Sequence, residues 1–106
     1  MHEQTKYTAI SKETKDKIYQ RDNGQCIIEG CTKTNVDPAH YIGRAQGGLG
    51  IEQNLVCLCR LHHDLYDNGA YRKLIGNKIK KYLDDLYPDF SDEQRVYNKY
   101  RWLDET

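Results

Sequence analysis

Hydrophobic and polar positions along this chain fall into blocks that predict a helix, a strand pair and further helices. Ser11 suits a helix N-cap, and Lys12 to Arg21 reads as a helix with Ile18 and Tyr19 turned inward. The polar run Arg21-Asp22-Asn23-Gly24 stops it. Thr32 to Asp37 is polar and Pro38 disfavours helix, so Val36 to Ile42 is expected as an extended strand carrying His40. Gly43 to Gly50 contains four glycines with Arg44 and Gln46, which predicts a flexible turn. Ile51 to Leu58 resumes in β-type residues as the second arm of a wide hairpin. Arg60 to Asp67 has helical character and closes at Asn68-Gly69, a C-cap signal.

Beyond Gly69, Leu74, Ile75, Ile79, Tyr82, Leu83 and Leu86 recur at helical spacing, with Lys78, Lys80 and Lys81 on more exposed faces and Pro88 closing the segment. Ser91-Asp92-Glu93-Gln94 resembles a capping box and predicts a last helix with Val96, Tyr97, Tyr100 and Leu103 on one side. No repeat, low-complexity tract or linker interrupts the pattern. Residues 1–106 therefore read as a single domain, with a β-β-α core over about 21–69 and a helical extension over 70–106.

Composition adds a constraint. Of 106 residues 38% are hydrophobic, nine of them tyrosines, and 30% are charged, so the apolar core is thin and needs support beyond packing. Lys+Arg and Asp+Glu balance at 16 each, which leaves any attraction to phosphate to local clusters. No apolar run approaches the roughly 18 residues of a membrane span. The stretch Met1 to Lys6 lacks the apolar segment of a secretory signal. A cytoplasmic protein with no membrane partner is expected.

The four cysteines cluster at Cys26, Cys31, Cys57 and Cys59. In a reducing compartment such spacing points to a metal rather than to disulfides. Cys26 and Cys31 form a C-x4-C knuckle, and Cys59 with His62 forms a C-x2-H pair. Together they supply four ligands for a structural Zn²⁺, closed to catalysis. Cys57 and Cys59 share a strand face, and either can reach the ion. The two-residue gap to His62 favours Cys59 and leaves Cys57 as an apolar core residue.

With the zinc ligands set aside, His40, Asn54 and His63 remain. If Cys59 and His62 tie the helix start to the knuckle, His63 projects toward the hairpin and a second, open site results. Cys26/Cys31, Ala39-His40, Asn54 and Cys59-Arg60-Leu61-His62-His63 resemble the His-Asn-His (HNH) nuclease motif in its zinc-bound form, over roughly Arg21 to Gly69. The flanks, including Asp67-Asn68-Gly69 and Tyr87-Pro88-Asp89-Phe90, are similar to the tails of small phage-encoded HNH proteins.

The resemblance implies an α+β fold: a small ββα-metal (His-Me finger) core with structural zinc, flanked by an N-terminal helix and two C-terminal helices. It implies a metal-dependent endonuclease that hydrolyses DNA phosphodiester bonds, by nicking or double-strand cleavage, in a bacterial host cytoplasm. DNA is the implied partner, with terminase or other phage packaging proteins alongside. His40 would be the general base, Asn54 the orienting residue and His63 a ligand of Mg²⁺ or another divalent ion. Phosphodiester hydrolysis requires such a base and such a cation.

One position departs from the family pattern. An Asp or His usually precedes the catalytic His as a second metal ligand, and here Ala39 stands there. Asp67, four residues after His63 on the same helical face, is one substitute, and Asp37 is another. Weak metal affinity follows, with activity needing millimolar Mg²⁺ or preferring Mn²⁺, Ni²⁺ or Zn²⁺. Arg44 and Arg60 are candidate DNA-binding residues, and Arg72, Lys73, Lys78, Lys80 and Lys81 form a second basic group. Residues 71–106 carry 8 basic and 7 acidic side chains, so that group also reads as an ordinary solvated face. The competing readings are a catalytically silent zinc-stabilised DNA-binding or adaptor module, and a zinc-stabilised protein-interaction domain without nucleic acid.

Overall fold

The computed structural model describes residues 3–98. Helix α1 spans Glu3–Thr8 and α2 spans Lys12–Arg21. The Ser11 hydroxyl accepts the Thr14 N–H at 3.1 Å and so caps α2, which buries Ile18. A loop then leads to strand β1, Val36–His40, which pairs antiparallel with β2, Leu55–Cys59. Val36 stands opposite Cys59 and His40 opposite Leu55. Helix α3, Arg60–Asp67, follows directly, and α4 spans Arg72–Leu86.

All five residues of β2 are buried, because α2 packs on the strand pair as well as α3. A strand covered on both faces reads as a continuous apolar run, which is the pattern of Leu55-Val56-Cys57-Leu58. Ile18, Ile28, Val36, Tyr66, Ile75, Ile79 and Leu83 complete the core around it. The chain is thus a small α+β unit with a two-stranded antiparallel sheet.

A polar node ties α2, β2 and α4 together. The buried Asp22 carboxylate accepts from Arg21 Nε at 2.7 Å, from the Cys57 N–H at 3.0 Å and from the Tyr82 hydroxyl. Arg21 also donates to the carbonyls of Glu52 at 2.7 Å and Leu55 at 2.6 Å. The residues expected to do no more than end a helix therefore anchor the sheet.

Several expectations need correction. The first strand ends at His40, not Ile42, because Asn54 takes up the main chain of Ile42. The second begins at Leu55, since Glu52–Asn54 forms a 3₁₀ turn. The glycine-rich turn contains a 3₁₀ turn at Arg44–Gln46, and Gly47, Gly48 and Gly50 are buried. A Cβ at Gly48 would stand 1.6 Å from the Ile42 carbonyl oxygen, so the loop closes backbone on backbone. Leu74 and Leu86 are exposed, and the buried stripe of α4 is Ile75, Ile79 and Leu83.

The last helix is not formed over the described residues, which leaves one C-terminal helix there rather than two. The Ser91 capping box is present, but it opens only a 3₁₀ turn, Asp92–Arg95. Val96 then runs extended and bridges Gly48, and the Tyr97 N–H donates to the Gly47 carbonyl at 2.7 Å. Bonds to the glycine loop replace the helical ones. Tyr100 and Leu103 lie outside the described residues.

Candidate functional site

The knuckle is built on the edge of the sheet. Ile27 N–H donates to the Cys57 carbonyl, Cys26 N–H to the Lys33 carbonyl and Cys31 N–H to the Ile28 carbonyl, at 2.9–3.0 Å. These bonds curl Cys26 and Cys31 toward the junction of β2 and α3. Cys59 is both the last residue of β2 and the N-cap of α3, and His62 lies in the helix's first turn.

The four ligand atoms converge to within 4.8 Å of one another. His62 Nδ1 lies 3.4 Å from Cys26 Sγ and 3.2 Å from Cys59 Sγ, and Cys31 Sγ lies 3.9 Å from Cys59 Sγ. A tetrahedral zinc with bonds of about 2.3 Å to sulfur and about 2.0–2.1 Å to nitrogen sets edges of roughly 3.8 Å between sulfurs and roughly 3.6 Å from sulfur to nitrogen. The donor set and its spacing fit. A sulfur separation of 3.9 Å is far beyond the roughly 2.05 Å of a disulfide, and all four cysteines are free thiols. Cys26, Cys31, Cys59 and His62 therefore form a Cys3His cluster that can hold a metal ion such as zinc.

Electrostatics differ across the cluster. Burial pushes the Cys26 thiol up to about 11. Burial also raises Cys59, but the N–H groups of His62 and Leu61 and the thiols of Cys26 and Cys31 outweigh it, so Cys59 is lowered. Burial and the nearby Lys33 lower His62, which keeps its imidazole neutral, as a ligand must be. Cys57 stands apart from the cluster. Its thiol points at the Ile18 carbonyl, 3.8 Å away, and burial and Asp22 push it up to about 12. It is the core residue that its spacing suggested.

The second group of residues lies at the other end of the strand pair. The Asn54 carboxamide, fully buried, accepts the Ile42 N–H at 2.9 Å and donates to the carbonyls of Ile42 at 3.1 Å and Leu49 at 2.9 Å. It thereby spans the glycine loop. His40, the last residue of β1, is half-buried, with Nε2 2.9 Å from the Thr8 carbonyl oxygen. Burial lowers its pKa, the Thr8 carbonyl opposes this, and the charges of Arg44 and His63 lower it further.

His63 Nε2 lies 3.3 Å from Asp67 Oδ2, and both side chains reach solvent. Asp67 is therefore the acid brought to His63. Asp37 stands opposite Leu58 and places its charge near Tyr19. Ala39 is buried in the core opposite Val56, on the strand face away from His40, so position 39 offers the site nothing. Arg44 Nε donates to Thr8 Oγ1 at 3.3 Å, and Arg60, exposed, opens α3.

Two features escaped the sequence. Thr8 acts through its main chain, which has no side-chain signature. Tyr66 donates its hydroxyl to the Tyr41 carbonyl and so fastens α3 beside the His40 loop; its helical position signalled only burial. Comparisons with protein-family models, curated proteins and solved structures find no match for this chain, which leaves the geometry of the two sites to carry its functional reading.

Proposed function

We propose that the chain is an HNH-type endonuclease with a ββα-metal core, stabilised by zinc at the Cys3His cluster and cleaving DNA with one divalent cation. The observation that carries this reading is the bond from the Tyr66 hydroxyl to the Tyr41 carbonyl, which fastens α3, the helix of His63, beside the residue that follows His40, at a loop pinned by Asn54. A base and a cation ligand then face one phosphodiester.

In this mechanism His40 takes a proton from the attacking water at Nδ1, since Nε2 is engaged with the Thr8 carbonyl. His63 and Asp67 are the residues that would hold Mg²⁺ or a related ion, which when bound supplies charge neutralisation at the leaving oxygen. Asn54 keeps the loop, and hence His40, in place. A groove of about 480 Å³ lined by Tyr41, Tyr66, Arg72, Lys73 and Asn77 offers cations to the flanking backbone. Lys80 and Lys81 are paired with Asp84 and Asp85 and are less available. Arg44 and Arg60 flank the site on the loop and the helix start.

A second reading rests on the buried Ala39: without the usual second ligand, the unit is a catalytically silent zinc-stabilised DNA-binding or adaptor module. Plasmid nicking with Mg²⁺, Mn²⁺, Ni²⁺ or Zn²⁺ separates the two. The nuclease reading expects wild-type cleavage and a loss of about 10²–10⁴-fold in His40→Ala. DNA retained in a band shift without cleavage under any ion supports the adaptor.

A further inference from the structure

The rim of the Cys3His cluster is uneven. Cys26 is 5% exposed and Cys59 1%, whereas Cys31 and His62 are part-buried and line a pocket of about 400 Å³. Gly30, at φ +83°, turns the chain into Cys31, and a Cβ there would meet nothing within 4 Å, so the bend stands in open space. Of the three sulfur ligands, Cys31 is the one that a small solute reaches.

A second sulfur stands close behind it. Cys31 Sγ lies 3.9 Å from Cys59 Sγ, about 1.9 Å beyond the disulfide length of about 2.05 Å. Cys31 sits on a loop and Cys59 at the start of α3, so a small shift of the loop closes the gap. Cys57 does not compete, because it is fully buried with its thiol turned to the Ile18 carbonyl.

We propose that Cys31 is a peroxide-modification site: a hydroperoxide oxidises its thiolate, Cys59 resolves the product as a Cys31–Cys59 disulfide, and the metal is released. This rests on zinc at the cluster and is independent of any cleavage of DNA. Zinc has no redox step of its own, so both electrons come from sulfur. The Cys31 thiolate attacks one peroxide oxygen, the O–O bond breaks and hydroxide leaves, giving a sulfenic acid. The Cys59 thiolate then attacks that sulfur, forms the S–S bond and displaces a second hydroxide. Two thiolates, one hydrogen peroxide and two protons thus become one disulfide and two waters. Cys26 and His62 alone do not fill a tetrahedral shell, so the ion departs. The knuckle is then a clasp at the junction of β2 and α3, opened by peroxide and reset by a thiol reductant with zinc.

The experiment starts from zinc-loaded protein whose metal content has been measured. Millimolar hydrogen peroxide is expected to release one zinc per chain, read with a chromogenic chelator. Trypsin cuts after Arg21, Lys33, Arg44 and Arg60, which leaves Cys26 and Cys31 on peptide 22–33 and Cys57 and Cys59 on peptide 45–60. Mass spectrometry of the oxidised protein should show these two peptides joined, two hydrogens lighter than the reduced pair, with fragment ions placing the bond between Cys31 and Cys59. Cys57→Ala behaves as wild type. Cys31→His keeps four ligands without a thiol at the rim, and its zinc release is expected to be about tenfold slower or more. If that variant does not fold, the peptide map of the wild type decides alone. A bond confined to peptide 22–33, zinc lost with no joined peptides, or equally fast release from folded Cys31→His overturns the proposal. So does a wild type that keeps its zinc in peroxide. A chain without zinc before peroxide is added sinks the metal assignment and the proposal together.

Discussion

Asn54 grips both main-chain groups of a single residue, Ile42, accepting from its nitrogen and donating to its oxygen. A third bond, to the Leu49 carbonyl, uses the remaining donor. Asn54→Ala leaves three part-buried main-chain groups without this partner and is expected to cost about 2–4 kcal/mol. Asn54→Asp keeps one acceptor but turns an oxygen toward two carbonyls, so it costs at least as much near neutral pH. Urea midpoints with an unchanged slope check both.

Metal removal is expected to unfold the chain. Apparent contributions of structural zinc reach about 10–16 kcal/mol, which exceeds the whole stability of most small domains. Elemental analysis of folded protein should give one tightly held ion per chain. Cys31→Ala and Cys59→Ala lose it. Cys57→Ala retains it and costs about 1–2 kcal/mol in packing.

The lowered pKa of His40 has two consequences of fixed sign. The native ring stays neutral below the ordinary value of about 6.5, whereas the unfolded ring takes up a proton there. The unfolded state thus binds more protons in that window, so stability falls as pH drops from about 6.5 through the native value. The acid limb of cleavage lies below about 6.5 for the same reason. Arg44→Gln removes one of the lowering charges and moves the titration back up, as an NMR titration of the His40 ring would show. Comparison with His40→Gln subtracts the loss of metal at low pH.

Arg95 is fully buried and donates to the Gln53 carbonyl at 2.7 Å and to Asp92 at 2.6 Å, with Asp84 at 3.4 Å. The rings of Tyr41 and Phe90 lie 5.6 and 5.7 Å from its guanidinium carbon. Because the two acids are partly exposed, they can resolvate when the cation is lost. Arg95→Met is therefore expected to cost about 2–4 kcal/mol, below the worst cases of a broken buried pair. Arg95→Lys keeps the charge but not the fork, and falls between the two in thermal denaturation.

What could be read from the sequence follows from how local each signal is. Lys12–Arg21 and Arg60–Asp67 match their expected spans because a cap or a breaker marks each end. The Cys3His cluster was legible because metal ligands act through side chains at short spacings. Arg95 falls within the span expected as a last helix and carried no signal of its own; in the fold the rings of Tyr41 and Phe90 and the carboxylates of Asp84 and Asp92 converge on it and it is buried. Six-residue α1 could not be foreseen, because a helix that short depends on tertiary contacts such as the bonds Tyr7 and Thr8 accept from Gly50, His40 and Arg44. Asp22 looked like turn punctuation, and its burial depends on Tyr82, 60 residues away.

Hairpin connections are usually where a lineage tolerates extra residues. The one between these strands is different, because Gly48 touches the Ile42 carbonyl too closely for even one methyl group. Its length is therefore a fixed gauge. Guest peptides or inserted codons should survive in the exposed stretch 68–71 rather than between the two arms.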